Sequence, residues 1–346
     1  MKISVVDAGA MGTSIAIILA KAGHDVILTI QPFDYPHIEL FSELYRTGKN
    51  RFGKRENHLG LRGIELPANM DFTDNFKFEN NPNAIFMAVP TKFLLPVYQK
   101  IREYVLIHPK CTLVLLSKGL DENSISWSVR IKNDMTLCGR KNFAVLYGYT
   151  PASELAVSDL TWKTFAASLA SRDLNAIKKI RKVFSGTQLG IVGTTDIRGT
   201  GIGSALTKAY AIGYGLLLGL SQDSSAFPFL EKAHNEMKVF LDNAGASPKT
   251  LQSPAVRGDF YGTCQGEIAW ESRNVAFGKF LAKYPSAFEA IKYVSENTVE
   301  GYEALKTFHQ IAHENKLRAP ILYAIHRVCF YSASPTAMLE YLIPPS

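Results

Sequence analysis

Ile3-Ser4-Val5-Val6-Asp7-Ala8-Gly9-Ala10-Met11-Gly12-Thr13 opens the chain with a short β-branched run, a glycine turn and the start of a helical stretch reaching Ala22. In this spacing Gly9 would bring the backbone close to a pyrophosphate, and Gly12 would let the helix pack tightly on the strand. The order strand, glycine turn, helix is that of a dinucleotide-binding domain, with Gly9, Ala10, Met11 and Gly12 as candidate cofactor contacts. Asp7 stands where the first glycine of the pattern belongs. It places a β-carbon and a negative charge at a tight turn beside an anionic ligand, and it either repels the pyrophosphate or caps the positive end of the following helix.

Working outward, 346 residues exceed what one core serves, so two domains are expected. Hydrophobic content of 47% with 20% charged residues fits an ordinary globular chain and excludes a disordered one. No apolar run approaches the roughly 18–20 residues of a membrane span, and the N-terminal strand carries no separate basic and apolar leader, so no signal peptide is expected. Cys111, Cys138, Cys264 and Cys329 lie far apart without a CxxC pair, which argues against a disulfide scaffold or a metal site and for reduced thiols in the cytoplasm. The net charge of +7 comes without a basic run interleaved with aromatics, so nucleic acid is not the expected partner. The densest basic cluster is Lys49, Arg51, Lys54, Arg55 and Arg62. A positive field of this kind suits a small phosphorylated molecule.

Strand-like runs at Ile3–Val6, Asp25–Ile30, Ala84–Val89, Thr112–Ser117, Phe143–Gly148, Phe165–Leu169 and Leu189–Val192 alternate with helical stretches. The run Ala84 to Val89 is apolar throughout, as in a strand buried on both faces. From about residue 194 the periodicity is helical, over Gly203–Leu220, Ser224–Ala244, Glu271–Ala282, Thr298–Asn315 and Ala319–Tyr331, with Gly258–Cys264 reading as a glycine-bounded loop. The expected architecture is α/β: a doubly wound, mostly parallel Rossmann-type domain over residues 1–193, then an all-helical domain over 194–346.

Several blocks in order resemble the NAD(P)-dependent glycerol-3-phosphate dehydrogenase family, especially its bacterial and archaeal branch. Besides Val5 to Thr13 they are Ala88-Val89-Pro90-Thr91, Leu116-Ser117-Lys118-Gly119-Leu120, Thr194 to Gly199, Gly258-Asp259-Phe260 with Thr263-Cys264, Ser272-Arg273-Asn274, and Val299-Glu300-Gly301, while the family's glycine–proline block is altered here to Gly148-Tyr149-Thr150-Pro151. The resemblance implies an NAD- or NADP-dependent oxidoreductase of glycerol 3-phosphate and dihydroxyacetone phosphate in glycerophospholipid metabolism. By it Lys118 would sit beside the reacting centre of the substrate, and Asp259 would join the catalytic group. Thr263, Arg273 and Asn274 would hold the substrate, and Pro90 and Glu300 would lie on the cofactor side. The residue types suit the chemistry: an arginine fork and an asparagine amide donate to phosphate, and a lysine held by an aspartate carries the proton an alkoxide needs.

In this family a catalytic lysine followed by asparagine starts the first C-terminal helix; here Thr207 holds the lysine position and Lys208 the next one. One helical step turns a side chain by about 100°. Lys208 therefore either reaches the site on its long stem as a catalytic group, or points away and leaves Thr207 only a hydroxyl. Three functions follow: the dehydrogenase, a dehydrogenase of another phosphorylated hydroxy compound, or an impaired relative that binds or senses. For the cofactor, Asp34 after the second strand favours NAD slightly, while the basic cluster could take a 2′-phosphate. A helical C-terminal domain also makes a homodimer the expectation.

Overall fold

The computed structural model describes residues 1–30, 47, 61, 63–76, 78, 80–121, 126–157, 165–265, 269 and 272–341. The chain divides into two compact units, Met1–Lys118 with Ser128–Ile197, and Gly119–Trp127 with Arg198–Ser346.

The first unit is built on an eight-stranded sheet of order β3-β2-β1-β4-β5-β6-β7-β8. Its strands are β1 (Lys2–Val6), β2 (Asp25–Thr29), β3 (Met70–Thr73), β4 (Ala84–Met87), β5 (Thr112–Leu115), β6 (Phe143–Tyr149), β7 (Phe165–Ala170) and β8 (Leu189–Thr194). All pairs are parallel except β6 with β7. This is the doubly wound order in which the strand sequence reverses between β1 and β4. Val6 pairs with Met87, and Met87 with Leu115, so these three strands end in register. The segments that follow them, Asp7–Gly12, Val89–Thr91 and Ser117–Lys118, therefore leave the sheet along one carboxyl edge, the edge where such sheets bind ligands. Every residue of β4 and β5 is buried, which is why they read as unbroken apolar runs. β3 escapes sequence reading because it is a four-residue strand at the sheet edge, with Asp71 exposed between buried Met70 and half-buried Phe72.

Helix α1 (Ala10–Lys21) buries Gly12 through Ala20. A β-carbon at Gly12 would lie 2.0 Å from the Asp7 carbonyl oxygen, so only glycine lets the helix start this close to the strand end. Around the sheet follow α2 (Leu94–Ile107), α3 (Trp127–Leu137), α4 (Ala152–Ala156) and α5 (Leu174–Val183). Asp173 caps α5 by accepting the Asn175 amide at 2.8 Å, and Arg181 and Lys182 complement the dipole in its last turn.

The described part of the second unit is helical: α6 (Ile197–Gly219, beginning in the first unit), α7 (Ala226–Asn243), α8 (Asp259–Cys264), α9 (Arg273–Lys283), α10 (Ala287–Glu296), α11 (Glu300–Glu314) and α12 (Pro320–Tyr331). Its core gathers Tyr210, Phe229, Phe240, Phe260, Phe277 and Phe308, all fully buried. Two expectations are corrected here. Gly258–Cys264 is not a loop: a π-helical turn over Pro254–Gly258, closed by the Gly258 amide on the Ser253 carbonyl, runs straight into α8. Helix α6 begins at Ile197 rather than Gly203, its glycines set by packing instead of propensity. A β-carbon at Gly215 would meet the Val275 carbonyl, and one at Gly278 the Ile212 carbonyl, each at 2.1 Å, so α6 and α9 cross with backbones in contact.

No described helix is long and apolar enough to cross a membrane. Among the described residues no cluster of metal-ligating side chains occurs. Asp34 and the basic cluster Lys49, Arg51, Lys54, Arg55 and Arg62 lie outside the described residues.

Candidate active site

At the carboxyl edge of the sheet, Gly9 is the N-cap of α1 and uses no side chain to cap it. Gly9 and Met11 are half-buried, Ala10 is exposed, and the first turn holds no acid. The opening amides of α1 have no partners within the helix, and such a turn accepts an anion. A dinucleotide pyrophosphate thus fits Gly9, Ala10, Met11 and Gly12, with one departure. Asp7 is buried in the left-handed region at φ 92°, a conformation that favours glycine, and its Oδ2 accepts the Gly9 amide at 3.3 Å. It does not cap the helix; its carboxylate sits on the turn two residues before it.

Pro90 precedes the short turn Thr91–Phe93 at the end of β4. Lys118 lies just past β5, held by its neighbours. The Thr91 hydroxyl donates to the Lys118 carbonyl at 3.0 Å, the Tyr147 hydroxyl to the Ser117 carbonyl at 2.7 Å, and the Ser117 hydroxyl to the Val89 carbonyl. Its own Nζ donates to the Gly148 carbonyl at 3.0 Å. The ammonium is thereby anchored among the ends of β4, β5 and β6.

In the second unit the structure brings Thr207, Lys208 and Asp259 together. The Asp259 carboxylate is buried at 3% exposure, with Lys208 Nζ 3.5 Å from its Oδ2. The buried Thr207 hydroxyl donates to the same oxygen at 2.8 Å, with the Ser204 carbonyl 2.9 Å away as its other acceptor. Adjacent positions of α6 thus converge on one carboxylate, because the lysine stem swings back across the helical step. The π-helical turn aims Asp259 at them, and Phe260, packed edge-on to Tyr210 at 6.4 Å and tilted against Phe229 at 6.5 Å, fixes α8 from behind. Lys208 keeps 16% exposure, so its charge faces both the buried acid and the outside. Burial, with the Asp259 charge second, pushes the Cys264 thiol well up, which leaves it a neutral packing group.

Thr263 stands half-buried one turn after Asp259 on α8. Arg273 is the first residue of α9, exposed, at a helix start with no acid in its first turn, where a cation opposes the dipole. That placement costs stability and suits an anion held jointly by guanidinium and helix amides. Asn274, next along and buried, accepts the Gly301 amide on Oδ1 at 2.9 Å. Its Nδ2 makes no hydrogen bond among the described residues and remains a donor. Glu300 is the first residue of α11, where its charge complements the dipole.

The family model for the N-terminus of NAD-dependent glycerol-3-phosphate dehydrogenase matches residues 2–173, and that for its C-terminus matches residues 196–340. The chain is 28% identical over 348 residues to a glycerol-3-phosphate dehydrogenase [NAD(P)+] of Francisella tularensis subsp. novicida, covering 99% of this chain and 96% of that protein. Among solved structures it resembles the glycerol-3-phosphate dehydrogenase of Coxiella burnetii at TM-score 0.78 and 22% identity, over 99% of both chains. The Plasmodium falciparum glycerol-3-phosphate dehydrogenase also matches at TM-score 0.78, with 18% identity over 100% of this chain and 96% of that one. These structural likenesses carry the fold. With both family models together spanning nearly its whole length, the chain belongs to the NAD-dependent glycerol-3-phosphate dehydrogenase family, and so to the nicotinamide-dependent oxidoreductases acting on a CH–OH group.

Proposed function

We propose that this protein interconverts glycerol 3-phosphate and dihydroxyacetone phosphate, with NAD(H) preferred to NADP(H). The observation that carries the reading is the Lys208 ammonium held on buried Asp259 in the same helical unit as Arg273 and Asn274. Arg273 and the Nδ2 of Asn274 take the phosphate oxygens, a fork and a neutral donor at a helix start. Thr263 adds a hydroxyl to the substrate. Lys208 gives its proton to the oxygen of the carbonyl as that oxygen gains charge, and in the other direction receives the hydroxyl proton. Asp259 keeps that lysine charged and aimed, and Thr207 keeps Asp259 in place. In the first unit Lys118, fixed by the Gly148 carbonyl, is a further cation proposed for the substrate. In the first unit Gly9, Ala10, Met11, Gly12 and Pro90 bind the dinucleotide; Glu300 is the second unit's candidate for the cofactor. When bound, its nicotinamide supplies or accepts the hydride.

Steady-state oxidation of NADH, then of NADPH, with dihydroxyacetone phosphate tests the reading. Turnover at about 1–10³ per second is expected. Absence of turnover with both cofactors overturns it. A second reading, a relative that binds phosphorylated ligands without turnover, is favoured by the carboxylate of Asp7 on the Gly9 amide. Calorimetric binding of glycerol 3-phosphate without turnover would carry that one instead.

A further inference from the structure

We infer that Gly301 is a positioning residue of this site, setting the span between the proton-carrying Lys208 and the phosphate-holding Asn274. This rests on the reading above and names the contact that seats Lys208 and Asn274 within it.

Gly301 is the second residue of α11 and lies outside the left-handed region, so its need for glycine is not conformational. It is a matter of contact. A β-carbon there would lie 2.3 Å from the Lys208 carbonyl oxygen, 2.9 Å from that carbonyl carbon and 2.7 Å from Asn274 Oδ1. The Gly301 amide meanwhile donates to that same Oδ1 at 2.9 Å. One backbone residue therefore touches α6 at Lys208 and α9 at Asn274 at once. Helix α11 cannot retreat to admit a methyl. Its next residue, Tyr302, stacks on Phe330 at 4.6 Å and meets Phe277 edge-on at 5.8 Å, and Leu305 and Phe308 are buried beyond. Helices α6 and α9 are already in backbone contact through Gly215 and Gly278, so their mutual register is set elsewhere and survives a change at Gly301. A methyl at 301 thus displaces the Lys208 backbone, the Asn274 side chain, or both. Each displacement changes the distance a short phosphorylated ketone must bridge between its phosphate and its carbonyl. A misplacement of about 1 Å costs roughly 10²-fold in rate.

The test is Gly301→Ala in the full chain. For dihydroxyacetone phosphate, KM is expected to rise and kcat to fall, each about tenfold, with KM for NADH unchanged. A merely structural role lowers the folded fraction, which reduces kcat and leaves KM for the phosphorylated substrate alone; that result overturns the inference. A substrate-free arm separates it from the functional reading. In urea, Gly301→Ala and Asp259→Asn should be non-additive, the double variant losing less midpoint than the two single losses together, because both disturb the seat of Lys208. Additive losses overturn the positioning role even if the enzyme turns over. Failure of the wild type with dihydroxyacetone phosphate overturns the substrate and leaves the urea cycle to judge Gly301. Should Gly301→Ala not fold, hydrogen exchange at the Gly301 amide decides: about tenfold faster in Lys208→Met than in wild type is expected, and equal rates overturn the inference.

Discussion

Lys208 and Asp259 meet with Nζ 3.5 Å from Oδ2, although the lysine sits one residue later on its helix than the family pattern places it. Thr207, on the pattern position, donates its hydroxyl to the same oxygen. Lys208→Met is expected to lower kcat by about 10²–10⁴-fold, the range for losing a positioned proton donor. It should cost about 1–3 kcal/mol in urea, since Asp259 then keeps a buried charge satisfied only in part. Restoring the family residue should not help: Thr207 is buried, so Thr207→Lys forces a second ammonium into a filled space. Its kcat is expected to fall, and a rise in steady-state turnover would show that Lys208 is idle.

Asp7 holds φ 92° and directs its carboxylate to the Gly9 amide, a group the cofactor pyrophosphate would use. Asp7→Gly removes a strained side chain and a repelling charge together. The Kd for NADH, measured by fluorescence titration, should fall about tenfold, and the urea midpoint should rise. The gain in affinity should shrink with salt, because part of it is unscreened repulsion.

Arg273 makes no hydrogen bond among the described residues and stands where the helix dipole disfavours it. Arg273→Leu is therefore expected to leave the thermal midpoint unchanged or raised while increasing KM for dihydroxyacetone phosphate about 10²-fold. Activity on unphosphorylated dihydroxyacetone should change little. Equal losses on both substrates would move the phosphate site elsewhere.

Glu236 on α7 lies buried, accepting the amides of Ile321 at 2.9 Å and Leu322 at 2.8 Å and the Tyr210 hydroxyl at 2.9 Å. Burial outweighs these donors and raises its pKa from 4.5 to about 7. A carboxyl that holds its proton more tightly when folded contributes stability fully below its unfolded pKa. That share, about 3 kcal/mol at 1.36 kcal/mol per unit over the shift from 4.5 to about 7, is lost as pH rises through the folded pKa. Urea midpoints between pH 4.5 and 8 should fall more steeply for wild type than for Glu236→Gln. Parallel curves would show that the group does not titrate there.

Much of the fold is legible in the chain because buried parallel strands must be apolar on both faces and surface helices on one. The elements that escape reading are those whose residues defy this. Helix α10 leaves Phe288 at 73% and Ile291 at 61% exposure while Ala290, Tyr293 and Val294 turn to the core, so its apolar residues do not single out the buried face. Helix α6 opens through Gly199, Gly201 and Gly203, which read as helix breakers.

By itself the sequence determined the α/β order of elements, the glycine turn after β1 and the residue types available for phosphate and proton, because periodicity and turn chemistry are local properties. Only the tertiary structure decided that Lys208 rather than open solvent faces Asp259, that a π-helical turn presents that aspartate, and that Gly301 joins Lys208 to Asn274. The π-helical turn is local but carries no sequence signature, and the other two are contacts between segments far apart in the chain. They depend on how closely two backbones approach and on where a flexible stem ends, and no pattern along the chain encodes either distance.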